Sequence, residues 1–372
     1  LAQRLYTVQS ISGGNATLHP EDFGLGAFLS TPDRIVIPRR ARGRLSPAAE
    51  HAYQQQLVSF AAAIKAISQR LDFKVSSRGW CYLLEPHGLV KGDFDQGQEL
   101  INHCRKTGLL RLDICADDSA RTFFGVERVD DEPEQAVRWR WNAITYWLES
   151  YAPVSFWDFQ PCYVQMVVEK IDLRSLFEPV CAEYHVPIAN ARGWSDLNLR
   201  GDMMTRFKEH EAAGRRPVLM YCGDHDPAGL RISDSLRSNM EELSVAVGWR
   251  PDNLIIDRFG LNADFIEANG LTWIDNLLTG SGKDLTSPKH PDHHQPYVQT
   301  YLERFGARKV EANALVVAAT AGRELCRSAL LKYIETDPIL KWRSRLDSAR
   351  VELRQHFVES VKAQATAWEV RP

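Results

Sequence analysis

Between residues 163 and 244 the chain alternates short apolar runs with helix-like stretches: YVQMVVE, LRSLFEPVCAEY, VPIANAR, LNLRGDMMTRFKEHEAAG, RPVLMYCGDHD and GLRISDSLRSNMEELS. This alternation constrains the fold more than any other feature. Strands separated by helices cannot pair as hairpins, so they pair in parallel with helices on both faces of the sheet. The expectation is an α/β, Rossmann-like domain with a mostly parallel sheet, spanning 153–372 and ending in a helical extension.

In open sheets of this kind, ligands bind beyond the C-terminal ends of the strands. Glu169 ends YVQMVVE, and Asp224 and Asp226 follow PVLMYC directly, ahead of the turn-forming Pro227 and Gly229. Three carboxylates at one sheet edge repel one another, and a divalent cation offsets that cost. An all-oxygen set suits Mg²⁺, with Mn²⁺ as its substitute, because Mg²⁺ keeps several waters and takes one or two carboxylates together with substrate phosphates. Asp-x-Asp by itself is weak: it also occurs in glycosyltransferases, in phosphatases and as a helix-capping turn. Lys170 follows Glu169 and points away from the edge if strand alternation persists. His225 reads as a loop residue facing the other side. Lys170, Arg258 and Lys283 are candidate phosphate or DNA contacts.

The first 45 residues read as an extension of loops and short strands ending in RRARGR, whose Arg40 and Arg42 are candidate DNA contacts, although such a run is more often a solvated face. Residues 46–152 form a second region. Ser46 and Pro47 occupy cap and first-turn positions of one long helix, SSRGWCYLLEPHGL reads as another, and a third runs from about Asp95 to Thr107, ends at Gly108 and is followed by a short strand. This succession fits a winged-helix unit and also many small α+β domains. VRWRWNAITYWLES carries aromatics at helical spacing, for which packing is the expected role and base stacking the alternative.

A net charge of -3 spread over 45 basic and 48 acidic residues neither demands nor excludes a nucleic-acid partner. Seven scattered cysteines without a C-x-x-C pair suit free thiols in a reducing compartment. No run of eighteen apolar residues occurs, so a cytoplasmic protein without a membrane partner is expected. TGSGKDL lacks P-loop spacing, and HPDHH reads as a loop.

VVEKIDL, ARGWSDLNLR and LMYCGDHDPAGLRI together resemble the Toprim domain of the type IIB topoisomerase A subunit and of its meiotic relative, the double-strand-break transesterase. Glu169, Lys170, Asp224, Asp226, Pro227 and Gly229 fall on that pattern, and YLERFGARKVEANAL places Glu311 on a further acidic position. DRFGLNADFIE and GKDL resemble the intervening part. The family also carries a catabolite-activator-type winged helix in which an Arg precedes the nucleophilic Tyr by four residues. SSRGWCYLL supplies Arg78 and Tyr82, with Cys81 where an aromatic is common, and RKTGLLRLDICADDSARTF resembles the wing. The resemblance covers roughly residues 50 to 325. It implies a nucleoid-associated homodimer acting on double-stranded DNA, with Tyr82 attacking a phosphate to leave a 5′-phosphotyrosyl link, Arg78 assisting, and Mg²⁺ held by Glu169, Asp224 and Asp226. Strand passage would need a separate ATPase subunit. A hydrolytic Toprim nuclease of a defence or mobile-element setting that does not reseal, and a non-catalytic DNA-binding module, remain as alternatives.

Overall fold

The computed structural model describes residues 34–40, 46–116, 132–190, 197–279 and 282–369, with side chains as far as 365. Arg42 and most of the RRARGR run therefore lie outside the described residues, as does the end of the wing-like segment. The chain forms two compact units, residues 1–126 and 127–372.

The first unit is helical among its described residues. Helix α1 (Pro47–Ser68) starts where expected, because the Ser46 side chain accepts from Ala49 N–H and Pro47 occupies the first turn. It buries Leu57, Phe60, Ile64 and Ile67 along one stripe. Helix α2 (Ser77–Leu84) is capped by Ser76 and buries Trp80, Cys81, Tyr82 and Leu84. Helix α3 (Phe94–Lys106) closes the core with Phe94, Leu100, Ile101 and Cys104. The strand expected after Gly108 is instead a 3-10 turn at Leu112–Ile114 followed by a single parallel bridge between Val75 and Cys115. Trp80 Nε1 donates to Ile114 O at 3.2 Å and Ala116 N–H to Val75 O at 2.8 Å, so a side chain and one backbone pair hold this segment among the described residues.

The second unit opens with α4 (Pro133–Ser150), which buries none of its residues. Packing accounts for its aromatics only in part: Trp147 lies edge-on to Phe357 with centroids 6.2 Å apart, but Trp139, Trp141 and Trp147 retain about half their surface, at 51%, 50% and 49%. Helical spacing identified the helix, but the residues recur on two faces, and one helix has only one core to face.

The sheet follows the expected alternation: β1 (Cys162–Val168), α5 (Ile171–Glu183), β2 (Ile188–Asn190), α6 (Leu197–Ala212), β3 (Arg216–Cys222), then the short α7 (Pro227–Leu230), α8 (Ile232–Glu241) and α9 (Ser244–Val247), and β4 (Ile255–Gly260). Among the described residues the sheet has four strands, all parallel, in the order β2-β1-β3-β4. Alternate side chains of β1 separate the faces. Gln165 pairs with Met203 O and Arg206 of α6, whereas Met166 lies against Cys181 of α5. Every residue of β1 and β3 after the first is buried, as a strand covered on both faces requires.

Beyond the sheet, α10 (Ala263–Ala268), α11 (Pro296–Phe305), α12 (Ala319–Leu330) and α13 (Asp337–Glu369) complete the unit. The start of α13 is anchored by Trp342, whose Nε1 donates to Val154 O at 3.1 Å. All seven cysteines are free, and all but Cys162 are buried. Among the described residues, no helix is long and apolar enough to cross a membrane.

Candidate functional site

The strand order creates the site. The chain leaves β1 towards β2 on one side and returns to β3 on the other, so β1 and β3 flank the topological switch point where open α/β sheets bind ligands. Register then decides which residues meet. Val168 pairs with Cys222, so Glu169 and Gly223 emerge side by side, with Glu169 N–H donating to Cys222 O at 3.1 Å.

Three local devices place the acids. Asp224 N–H donates to Glu169 Oε2 at 2.9 Å, and the Tyr221 hydroxyl lies 3.3 Å from the same oxygen. The returning segment 308–312 runs along the loop, with His225 and Val310 exchanging backbone hydrogen bonds and Ala312 N–H donating to Asp224 Oδ1 at 2.7 Å. This brings Glu311 into the segment that crosses the site. Asp226 is turned differently: its Oδ1 caps α7 by accepting from Gly229 N–H at 2.6 Å. The three carboxylates therefore do not form a ready cluster, and among the described residues no group of three or more His, Cys, Asp or Glu side chains is disposed to hold a metal.

Lys170 turns into the site rather than away from it. Its Nζ lies 2.6 Å from Glu169 Oε1 and 3.0 Å from Asp224 Oδ2, so one cation already bridges the two strand ends. The chain leaves β1 at Val168, and the pleat that governs alternation stops there. Burial pulls the Lys170 pKa down, but Asp224 and Glu169 outweigh it and hold the ammonium above its ordinary range. Glu169 lies below the carboxylate range, because Lys170 and the Asp224 N–H overcome its burial. Asp224 is pushed up to about 7 by burial, which together with the neighbouring Glu169 prevails over Lys170. Two carboxylate oxygens converging on one cation are a donor arrangement that fits a hard divalent ion completed by waters and phosphate oxygens.

The remaining candidates separate clearly. Arg258 spends its guanidinium on structure: Nε donates to Gly229 O at 2.8 Å, Nη2 to Leu261 O at 2.7 Å and to Asp224 O at 3.2 Å, and Nη1 to Asn262 Oδ1 at 2.7 Å. It braces the loop that carries the aspartates. Lys283 is exposed in a loop closed by its own backbone pairing with Thr279. In the first unit, Arg40 pairs with Glu50 at 3.4 Å, and Arg78 approaches Asp95 at 4.0 Å with its guanidinium 5.6 Å from the Phe94 ring. Tyr82 is 0% exposed, edge-on to Phe94 at 4.9 Å, with Lys91 Nζ 4.0 Å from its ring centre. Sequence reasoning passed over Tyr221 and the backbone of Ala312. The first looked like strand core, and the second lies 88 residues from its partner.

No protein-family model, curated protein or solved structure matches this chain. The site's own geometry is thus the ground for a functional reading.

His225 lies between the aspartates but faces away from them, 1% exposed among Trp273, Tyr301 and Phe305, with Nδ1 3.1 Å from the Tyr301 hydroxyl. Burial there, with Arg258 nearby, pushes the imidazole down to about 4 from 6.5. Because the unfolded chain protonates first, stability is complete above pH 6.5 and is lost as pH falls towards 4. The loss from this group approaches roughly 3 kcal/mol at the acid limit. Denaturant titrations of the wild type and of His225→Gln from pH 4 to 7 check this, with a flatter pH dependence expected in the variant.

Proposed function

We propose that the chain cuts the phosphodiester backbone of DNA by metal-assisted hydrolysis at the edge formed by Glu169, Asp224 and Asp226. The observation that carries this reading is that Glu169 and Asp224, from adjacent strands at the switch point, share a single cation through one oxygen each. Glu169 and Asp224 would hold a Mg²⁺ or Mn²⁺ ion there, which would supply Lewis-acid stabilisation of the phosphate. Glu169 and Asp224 fix the ligand oxygens, Tyr221 and Ala312 hold those carboxylates in orientation, and Arg258 keeps the aspartate loop closed. Water forms the new P–O bond as it gives up a proton to solvent, the ester P–O bond breaks, and the departing oxygen takes up a proton.

The resemblance to the type IIB topoisomerase A and meiotic transesterase family supports double-stranded DNA as substrate, a homodimer as the acting form, and winged-helix and Toprim identities for the two units. Water is preferred to Tyr82 as nucleophile because a phenol with no exposure cannot reach a phosphate from where it sits. A hydrolytic cut requires no ATPase partner.

The test is a Tyr82→Phe protein, which keeps the packing against Phe94. With Mg²⁺ it is expected to cleave supercoiled DNA within about twofold of the wild-type rate, an effect under 1 kcal/mol. Rapid denaturation of either protein should leave no polypeptide on the DNA ends. Covalent attachment in the wild type that disappears in Tyr82→Phe would replace hydrolysis with transesterification.

A further inference from the structure

Each carboxylate of the Glu169–Asp224 pair has one oxygen committed to the protein. Glu169 Oε2 accepts from Asp224 N–H, with the Tyr221 hydroxyl beside it, and Asp224 Oδ1 accepts from Ala312 N–H. The other oxygen of each, Glu169 Oε1 and Asp224 Oδ2, is held by Lys170 Nζ. The oxygens that face a cation are therefore the two that the ammonium occupies.

We propose that Lys170 is a built-in counter-ion that a divalent cation must displace, and that the displaced ammonium is taken up by a substrate phosphate, so that metal and DNA load together. The proposal rests on the metal-site reading above. A divalent ion held by Glu169 Oε1 and Asp224 Oδ2 would compete with Nζ for the same two oxygens, and two like charges repel at that range. Charge balance gives the direction. With Asp226 included, three carboxylates and one ammonium leave two negative charges, which a dication neutralises, so the ammonium is no longer needed by the carboxylates and can turn to a phosphate oxygen. Lys170 follows Glu169 directly and is 30% exposed at its side chain, so the ammonium can leave the carboxylates without unfolding β1.

Mn²⁺ binding followed by electron paramagnetic resonance tests this without reference to cleavage. In the full chain without DNA, Lys170→Met is expected to bind Mn²⁺ about tenfold or more tightly than the wild type, because its competitor is gone. Lys170→Arg, which restores the positive charge, should return affinity towards the wild-type value. A short phosphorothioate duplex should tighten Mn²⁺ binding in the wild type by a larger factor than in Lys170→Met. Lys170→Gln, which keeps a hydrogen-bond donor without the charge, replaces Lys170→Met if circular dichroism shows that variant unfolded. Equal or weaker Mn²⁺ binding by the uncharged variants overturns the counter-ion role while leaving the metal site standing. Absence of Mn²⁺ binding in both wild type and variants overturns the metal site and the counter-ion role with it.

Discussion

Asp224→Asn is expected to lower Mg²⁺-dependent DNA cleavage on the order of 10³-fold, corresponding to several kcal/mol of lost charge stabilisation at the phosphate. The fold should survive, and for a specific reason. Asparagine retains the Oδ1 that accepts from Ala312 N–H at 2.7 Å, so the crossing segment stays anchored. What disappears is a charge that burial already disfavours, pushed up to about 7 beside Glu169. The apo protein should be as stable as the wild type or slightly more so, because removing one of two crowded carboxylates relieves their repulsion. Single-turnover cleavage and thermal melting, both on the full chain, separate the two effects. Cleavage at the wild-type rate by Asp224→Asn would remove this residue from the chemistry and leave Asp226 and Glu169 without a common ion. Loss of activity with a collapsed melting temperature would assign Asp224 a structural role instead.

The residues that made the site legible in the sequence did so through position on strands. Apolar runs bounded by Glu169 and by Asp224 announced two strand ends, and a parallel sheet brings strand ends together. Lys170 was less legible. Alternation directs it away from Glu169's side, and only the end of β1 at Val168 lets both side chains face one edge. Arg258 illustrates a different limit: a cation near acidic residues suggests phosphate, yet its donors are used by four loop acceptors that sequence spacing does not reveal. Tyr82 shows a third. The Arg-then-Tyr spacing on α2 is real, but whether the phenol faces solvent or Phe94 depends on how α3 packs, a tertiary choice. Among the described residues the short strand expected after Gly108 is reduced to the Val75–Cys115 bridge, with Trp80 Nε1 donating to Ile114 O beside it.

Gly229→Ala is expected to cost roughly 2–3 kcal/mol of folding stability and to lower cleavage about a hundredfold, although it adds one methyl group. The turn from Asp224 to Gly229 closes so tightly that a Cβ at Gly229 would fall on the carbonyl oxygen of Asp224 and lie 3.2 Å from Asp226 Oδ1. A flexible side chain could move aside, but a carbonyl cannot, and Arg258 clamps it by donating both to Gly229 O and to Asp224 O. Opening the turn pulls Asp224 N–H from Glu169 Oε2 and Asp224 Oδ1 from Ala312, so the site comes apart with the loop. Gly201→Ala in α6 is the control, since nothing lies within 4 Å of its added Cβ. There the same substitution removes a glycine from a helix and should stabilise by about 0.5–1 kcal/mol. Denaturant midpoints of the two variants should therefore move in opposite directions. If Gly229→Ala melts and cleaves like Gly201→Ala, the loop is not closed on Asp224, and the acids are held by something other than this turn.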